Sequence, residues 1–241
     1  MQLLILNPNT SVAVTERLRE HVAAIAAPDV TLHVATAAFG ARYIADETSF
    51  AVAGHAVLDA YANHCERHGK SDAVLVGCFG DPGVWALREL SGLPVVGLAE
   101  AAMREAAGFG RFAIVTGGAA WDPMLRRLAR TLGLDGALAD VHVVAPTGAQ
   151  LAADPAMAMS VLGEACQRAS AGADAVILGG AGLAGMAARL APHLAVPLID
   201  SVSAGAKALS GDCSGFVAAR LAKTEPAGPE SVSAALRGMR R

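Results

Sequence analysis

Residues 72–83 read Asp-Ala-Val-Leu-Val-Gly-Cys-Phe-Gly-Asp-Pro-Gly, and residues 174–185 read Asp-Ala-Val-Ile-Leu-Gly-Gly-Ala-Gly-Leu-Ala-Gly. Each is an aliphatic run entering a Gly-rich turn. A short continuous apolar run bounded by turn residues is the pattern of a strand buried on both faces. Aligning the two copies sets Gly77 against Gly179 and Cys78 against Gly180. One copy therefore offers a thiol at the mouth of its turn where the other offers no side chain.

Working outward, the same order recurs. The Leu-Asn-Pro-Asn-Thr run at 6–10 follows an apolar run, 2–6, and has its counterpart in Val-Thr-Gly-Gly-Ala at 115–119. Pro-Val-Val-Gly at 94–97 matches Pro-Leu-Ile-Asp at 197–200. Three matches in one order, each just over a hundred residues apart, predict two related halves. Strands are expected at 2–6, 30–35, 72–76, 94–98, 111–115, 141–144, 174–178 and 197–200. Helices are expected after 11 and over 53–68, 85–90, 100–107, 123–132, 157–170, 186–190 and 203–221. Residues 39–50 read as irregular and polar, and 223–229 as a Pro/Gly linker. Alternating strands and helices give an α/β fold: two pseudo-symmetric domains, each a mostly parallel sheet flanked by helices, with the active site in the cleft between them. The expected division is 1–98 plus 203–222, then 99–202, with 223–241 as linker and tail.

Composition narrows the class. The 241 residues are 54% hydrophobic but only 4% aromatic, and carry a net charge of -3. Small side chains suit close helix-on-sheet packing. Scattered Lys and Arg argue against a nucleic-acid partner, and the longest candidate for a membrane span, 175–188, is too short and Gly-broken. Four cysteines without framework spacing, Cys65, Cys78, Cys166 and Cys213, read as reduced thiols of a cytoplasmic protein.

Cys78 lies at the carboxyl end of a strand, where loops of parallel sheets bind ligands. Free N–H groups and a helix N-terminus there are expected to favour its thiolate, making it a nucleophile or a proton-transfer group; an inert buried thiol is the alternative. Asp81 either orients this loop or serves its Asp-Pro-Gly turn. Asn7, Asn9, Thr10 and Ser11 form either a cradle for a carboxylate or carbonyl, or an ordinary turn and helix cap. Residues 180–185 spell G-x-G-x-x-G with Asp200 downstream, the dinucleotide fingerprint in outline. The matching turn at 77–83 fills the same slot without that pattern, so the repeat outweighs a nucleotide reading. His64 and His68, beside Cys65, read as a solvent-exposed helix end rather than a metal site.

The sequences Leu-Asn-Pro-Asn-Thr-Ser at 6–11, Cys-Phe-Gly-Asp-Pro-Gly at 78–83, Gly-Leu-Ala-Glu-Ala-Ala-Met at 97–103 and Val-Ile-Leu-Gly-x-Ala-Gly at 176–182 resemble the hydantoin racemases of the Asp/Glu racemase superfamily. The resemblance runs from residue 1 to about 221. It implies a cofactor-independent isomerase acting on an amino acid, hydantoin or related small carboxylate, and a homo-oligomer. It also implies a pair of cysteines facing opposite sides of the stereocentre. Carried over, Cys78 is the first cysteine. Asn7, Asn9, Thr10, Phe79, Gly80, Thr116, Gly117, Gly118, Gly180 and Ala181 line the substrate site. The departures are Gly180, where the family has its second cysteine, and Thr116-Gly117-Gly118, where it has a Thr-Thr pair; that side is expected to be roomier and less polar. Three readings stay open: a racemase with another second acid or a water, a one-cysteine lyase like the superfamily's arylmalonate decarboxylases, or a non-catalytic binding protein for a small carboxylate or cyclic amide.

Overall fold

The computed structural model describes residues 1–210 and 216. The first half runs β1 (Gln2–Asn7), α1 (Val12–Ala23), β2 (Thr31–Thr36), α2 (Glu47–His68), β3 (Ala73–Val76), α3 (Val84–Ser91), β4 (Val95–Gly97) and α4 (Leu98–Ala107). The second runs β5 (Phe112–Gly117), α5 (Trp121–Thr131), β6 (Leu138–Val144), α6 (Gly148–Ala153), α7 (Pro155–Ser170), β7 (Ala175–Gly179), α8 (Met186–Leu190), β8 (Leu198–Asp200) and α9 (Ser201–Ala208). The sheets have the same topology, β2-β1-β3-β4 and β6-β5-β7-β8, and every pairing is parallel. The repeat extends to single bonds. Asp72 accepts the N–H of Gln2 at 2.7 Å, and Asp174 accepts that of Arg111 at 2.8 Å. Each carboxylate thereby ties the start of a half's third strand to the start of its first.

The central strands are apolar along most of their length because helices cover both faces. Leu4–Leu6, Val74–Val76 and Val176–Ile177 are fully buried. One apolar cluster includes Ile5 and Leu75 from the first sheet and Ile114 and Ile177 from the second. Helices α4 and α9 stand between them: α4 packs on α9 and on β7, and α9 also reaches α1. Their buried residues are mostly small, Ala99, Ala101, Ala102 and Ala106 on α4 and Ala204, Gly205 and Ala206 on α9, and a Cβ on Gly205 would lie 3.0 Å from Leu98 of α4. Polar links reinforce the join. Arg127 on α5 holds Glu47 on α2 through two bonds, and His21 Nε2 on α1 lies 2.8 Å from Ser203 Oγ on α9.

Several elements differ from the sequence expectation. Helix α2 begins at Glu47, inside the stretch read as irregular, because Asp46 and Ser49 form a reciprocal capping box. Helix α6 was not foreseen; Thr147 and Gln150 cap it in the same way. Ser11 occupies the N-cap position of α1, yet its side chain makes no capping bond. His64 is not at an exposed helix end: it is buried, 3.4 Å from Ser71 Oγ, while His68 is exposed. The last helix is described over Ser201–Ala208; its expected continuation to 221, and the linker and tail beyond, lie outside the described residues.

Gly83 and Gly185 hold equivalent positions before α3 and α8, with φ of +75° and +82°. A Cβ on Gly83 would also lie 2.7 Å from the Gly54 carbonyl oxygen of α2, whereas one on Gly92, at φ +66°, would meet nothing. Gly92→Ala is expected to cost about 1–2 kcal/mol, the left-handed backbone term alone. Gly83→Ala is expected to cost about 1–3 kcal/mol more, from overpacking. Urea denaturation of the two variants measures the difference.

Candidate active site

The carboxyl ends of both sheets face one cleft of about 540 Å³. Pseudo-equivalent loops supply its walls. After β1, β2 and β3 come Asn9 and Ser11, then Arg42, Tyr43 and Ile44, then Gly77, Cys78 and Phe79. The end of β5 gives Thr116 and Gly117, the chain after β6 gives Gly148, and the end of β7 with its turn gives 179–183. Arg17 of α1 and Trp121 of α5 also face it.

Of the residues picked out in the sequence, Asn9, Cys78, Phe79, Thr116, Gly117, Gly180 and Ala181 line this cleft, and Asn7, Thr10, Gly80 and Gly118 do not. Asn7 is fully buried behind it. Its amide donates to Asn9 Oδ1, the Ser11 carbonyl and Thr15 Oγ1, and its oxygen accepts the Asn9 N–H. Asn9 Oδ1 also accepts the Ser11 N–H. With that oxygen engaged inside the turn, Asn9 keeps its amide N–H groups as donors, and Ser11 lines the cleft beside it. Thr10 donates its N–H to Ala41 at 3.1 Å and so fastens the loop that carries Arg42 and Tyr43. Gly80, at φ +148°, is covered by Trp121: a Cβ there would lie 2.4 Å from the indole.

Cys78 is 7% exposed, on the floor of the cleft. Its own N–H donates back to Val76 O rather than toward the sulfur. Burial pushes the thiol well above its ordinary range, and the nearby Asp81 charge adds to the shift. The expectation of a thiolate at rest is therefore corrected: the sulfur is buried more deeply than a helix terminus can offset, and it rests as the neutral thiol.

Asp81 positions this loop. Its backbone takes φ +59°, and its buried carboxylate accepts the N–H groups of Ala99 and Glu100 at 2.9 and 2.7 Å. These are orphan donors at the N-terminus of α4. Gly97 precedes that helix because a Cβ there would lie 2.1 Å from Asp81 Cγ. The second half makes the same link in reverse. Asp200, the counterpart of Gly97, caps α9 through Val202 and Ser203 N–H and reaches back to the N–H of Gly185 at 2.9 Å. Burial would raise the Asp200 carboxyl, but bonds from His21, Ser203 and Gly185 outweigh it and hold it low. Those bonds commit both Asp200 oxygens to the link between the 180–185 turn and α9.

Across from Cys78, Gly180 sits at φ +143°, and its N–H donates to Ser201 Oγ at 3.2 Å. A Cβ there would meet Leu183 at 3.4 Å, ordinary contact, so backbone conformation rather than space disfavours a side chain. Thr116 Oγ1 donates to the Gly179 carbonyl at 2.8 Å. Close neighbours hold the Gly117-Gly118 pair. A Cβ on Gly117 would lie 2.6 Å from Pro146 O, and one on Gly118 3.2 Å from Trp121. Tyr43 also reaches across: its hydroxyl accepts the Gly148 N–H at 2.9 Å and lies 3.4 Å from the Gly117 carbonyl. Burial raises the Tyr43 phenol, Cys78 adds to this, and the bonds from Gly148 and Trp121 oppose it. Arg17, Arg42, Tyr43 and Trp121 were not picked out as site residues; no local motif marks them, and only the placement of α1, the β2–α2 loop and α5 brings them in.

The family model for Asp/Glu/hydantoin racemases matches residues 3–209. A hydantoin racemase of Paenarthrobacter aurescens is 31% identical over 210 residues, 86% of this chain and 89% of that protein. An allantoin racemase structure from Klebsiella pneumoniae superposes with a TM-score of 0.81 at 34% identity, over 87% of this chain and 86% of that one. Arylmalonate decarboxylase shares the fold, with a TM-score of 0.60 at 19% identity over 88% of this chain and 93% of that one. The chain belongs to the Asp/Glu/hydantoin racemase family.

The Asp81 carboxyl is raised from 3.8 to about 7, first by burial and further by Glu100, against its two N–H bonds and Arg88. The proton it retains favours folding fully below about pH 4, and that contribution is lost as pH rises through about 7. The stability of wild type is expected to fall across this window by a component absent from Asp81→Asn. The variant, whose amide leaves one α4 N–H unmet, is expected to be about 1–3 kcal/mol less stable at pH 5. Urea titrations at pH 4 to 8 test both. Loss of the Asp81 charge is also expected to quicken iodoacetamide labelling of Cys78 at pH 8, followed on its tryptic peptide.

Proposed function

We propose that the chain is a cofactor-independent racemase in which Cys78 transfers a proton at the carbon α to a carbonyl of a small molecule. The observation that carries this reading is the placement of one thiol on the floor of a cleft walled by equivalent loops of two equivalent halves. Inversion requires proton transfer on opposite faces of one carbon, and a two-fold repeat presents two faces to whatever lies between. Charge that develops on the substrate carbonyl as the proton leaves needs donors already in place. The Asn9 amide is such a donor at the cleft wall.

The neutral Cys78 thiol is the acid of the resting protein, and its thiolate is the base. On the other face Gly180 gives no side chain, so a water molecule above it is the second proton carrier in this reading. The same glycine favours a second reading, one-sided chemistry in which Cys78 protonates a carbanion left by decarboxylation. The reactant in either case is a small organic molecule. Among the described residues, no helix is long and apolar enough to cross a membrane.

Proton NMR in D2O with enantiopure 5-substituted hydantoins, amino acids and small 2-substituted acids tests the proposal. The expected outcome is deuterium entry at the α-carbon with loss of optical purity, slowed at least about 100-fold in Cys78→Ser. The rate is expected to climb about tenfold per pH unit through neutrality, since a base with a raised pKa is mostly protonated there. Entry with retained configuration, or carbon dioxide release from aryl malonates, would establish the lyase instead. Binding without exchange would leave a binding protein.

A further inference from the structure

We infer that the molecule taken by this cleft is an anion, a small carboxylic acid whose carboxylate is held by Arg17 and Arg42, rather than an uncharged cyclic ureide. The inference deepens the proposed function and rests on its assignment of the cleft as the substrate site.

The only charged side chains among the described residues lining the cleft are Arg17 and Arg42; no Asp, Glu or His faces it. That local balance runs against the chain as a whole, whose net charge is -3. Elsewhere among the described residues, Arg67, Arg111, Arg130 and Arg189 lack a carboxylate partner but are exposed outside the cleft, and the other arginines are paired. Arg88 and Arg104 share Glu100, Arg126 lies between Asp122 and Asp140, Arg127 pairs with Glu47, Arg19 with Glu16 and Arg168 with Glu164. Neither Arg17 nor Arg42 has a carboxylate partner among the described residues.

Both are held where a ligand would meet them. Arg17 is half-buried on α1, and its Nη1 donates to the Gly182 carbonyl at 2.6 Å, which sets the guanidinium beside the 180–183 turn. One bond leaves most of its five donors free. Arg42 is exposed at the rim, but the chain on either side is fixed: Ala41 O accepts the Thr10 N–H, and Tyr43 Oη accepts the Gly148 N–H. A guanidinium kept partly out of water without a counter-charge gains most from a ligand that supplies one, and its planar fork matches a carboxylate. A neutral ring cannot return that interaction. The cleft volume, about 540 Å³, suits one small molecule.

Isothermal titration calorimetry at low salt and pH 7.5 decides the matter with charge-matched pairs: phenylacetate with phenylacetamide, succinate with succinamide, and 5-benzylhydantoin as the uncharged ring. At least one carboxylate is expected to bind about tenfold or more tightly than its amide. Arg17→Gln and Arg42→Gln are each expected to weaken it about tenfold while leaving the amide unchanged, and Arg42→Lys to recover only part of the affinity, keeping the charge without the fork. Thermal unfolding confirms that the variants are folded, and Arg42, being exposed, gives a test free of structural cost.

The inference is overturned if amides or the hydantoin bind as well as every carboxylate, if Arg42→Gln has no effect, or if no carboxylate titrates below about 10 mM, beyond the usual range of enzyme substrates. The two readings fail separately. Cys78-dependent exchange on the neutral hydantoin without carboxylate binding would sink this inference and leave the racemase. Arginine-dependent carboxylate binding without exchange would do the reverse.

Discussion

A buried carboxylate between a loop and the first N–H groups of the next helix is the constraint on which the site depends. Asp81 grips Ala99 and Glu100, and the loop that carries Cys78 has no freedom relative to α4. Helix α4 is in turn packed between the halves, against α9 and β7. The thiol's position is therefore set by the interface between the sheets and not by its own strand alone. The cost of this arrangement falls on the Asp81 carboxyl, displaced to about 7 by burial, and on Cys78, which feels its charge. Asp81 thus fixes the position of the sulfur and adds to the shift that burial gives its acidity.

The halves agree in scaffold and diverge in surface. Sheet order, the Asp72 and Asp174 clasps and the left-handed glycines before α3 and α8 coincide. The cleft linings do not. Where one half shows a thiol the other shows Gly180, and aromatic rings occupy the flank beside Gly117 and Gly118. Tyr43 and Arg17 come from the first half yet bond to the backbone of the second. The lining beside the 180–183 turn is thus partly built by the opposite half.

Much of the architecture was legible because it is written in local patterns. The aliphatic runs at 73–76 and 175–178 have one buried solution, and the repeat fixed their common topology. Cys78 stood out because a strand end and a Gly-rich turn flank it. What stayed hidden depends on encounters distant in sequence. Arg17 reads as one more polar residue of an amphipathic helix until Gly182, 165 residues away, meets it. Asn7 and Asn9 look alike in sequence, and only the bond pattern shows that one supports and the other faces the cleft. The acidity of Cys78 was misread for a related reason: helix termini are visible in a sequence, whereas depth of burial is not.

The mirrored carboxylates also bear on descent. If the halves arose from one ancestral unit, one of them has moved its acid from one side of the loop-to-helix link to the other. Single substitutions make that passage hard. Adding a side chain at Gly97 while Asp81 remains puts two groups in one hole, 2.1 Å apart. Removing Asp81 first leaves two buried N–H groups without acceptors. Each half is held in its own solution by a valley on either side, so the asymmetry of the link, unlike that of the cleft walls, is expected to outlast changes of substrate and to record the lineage of the fold.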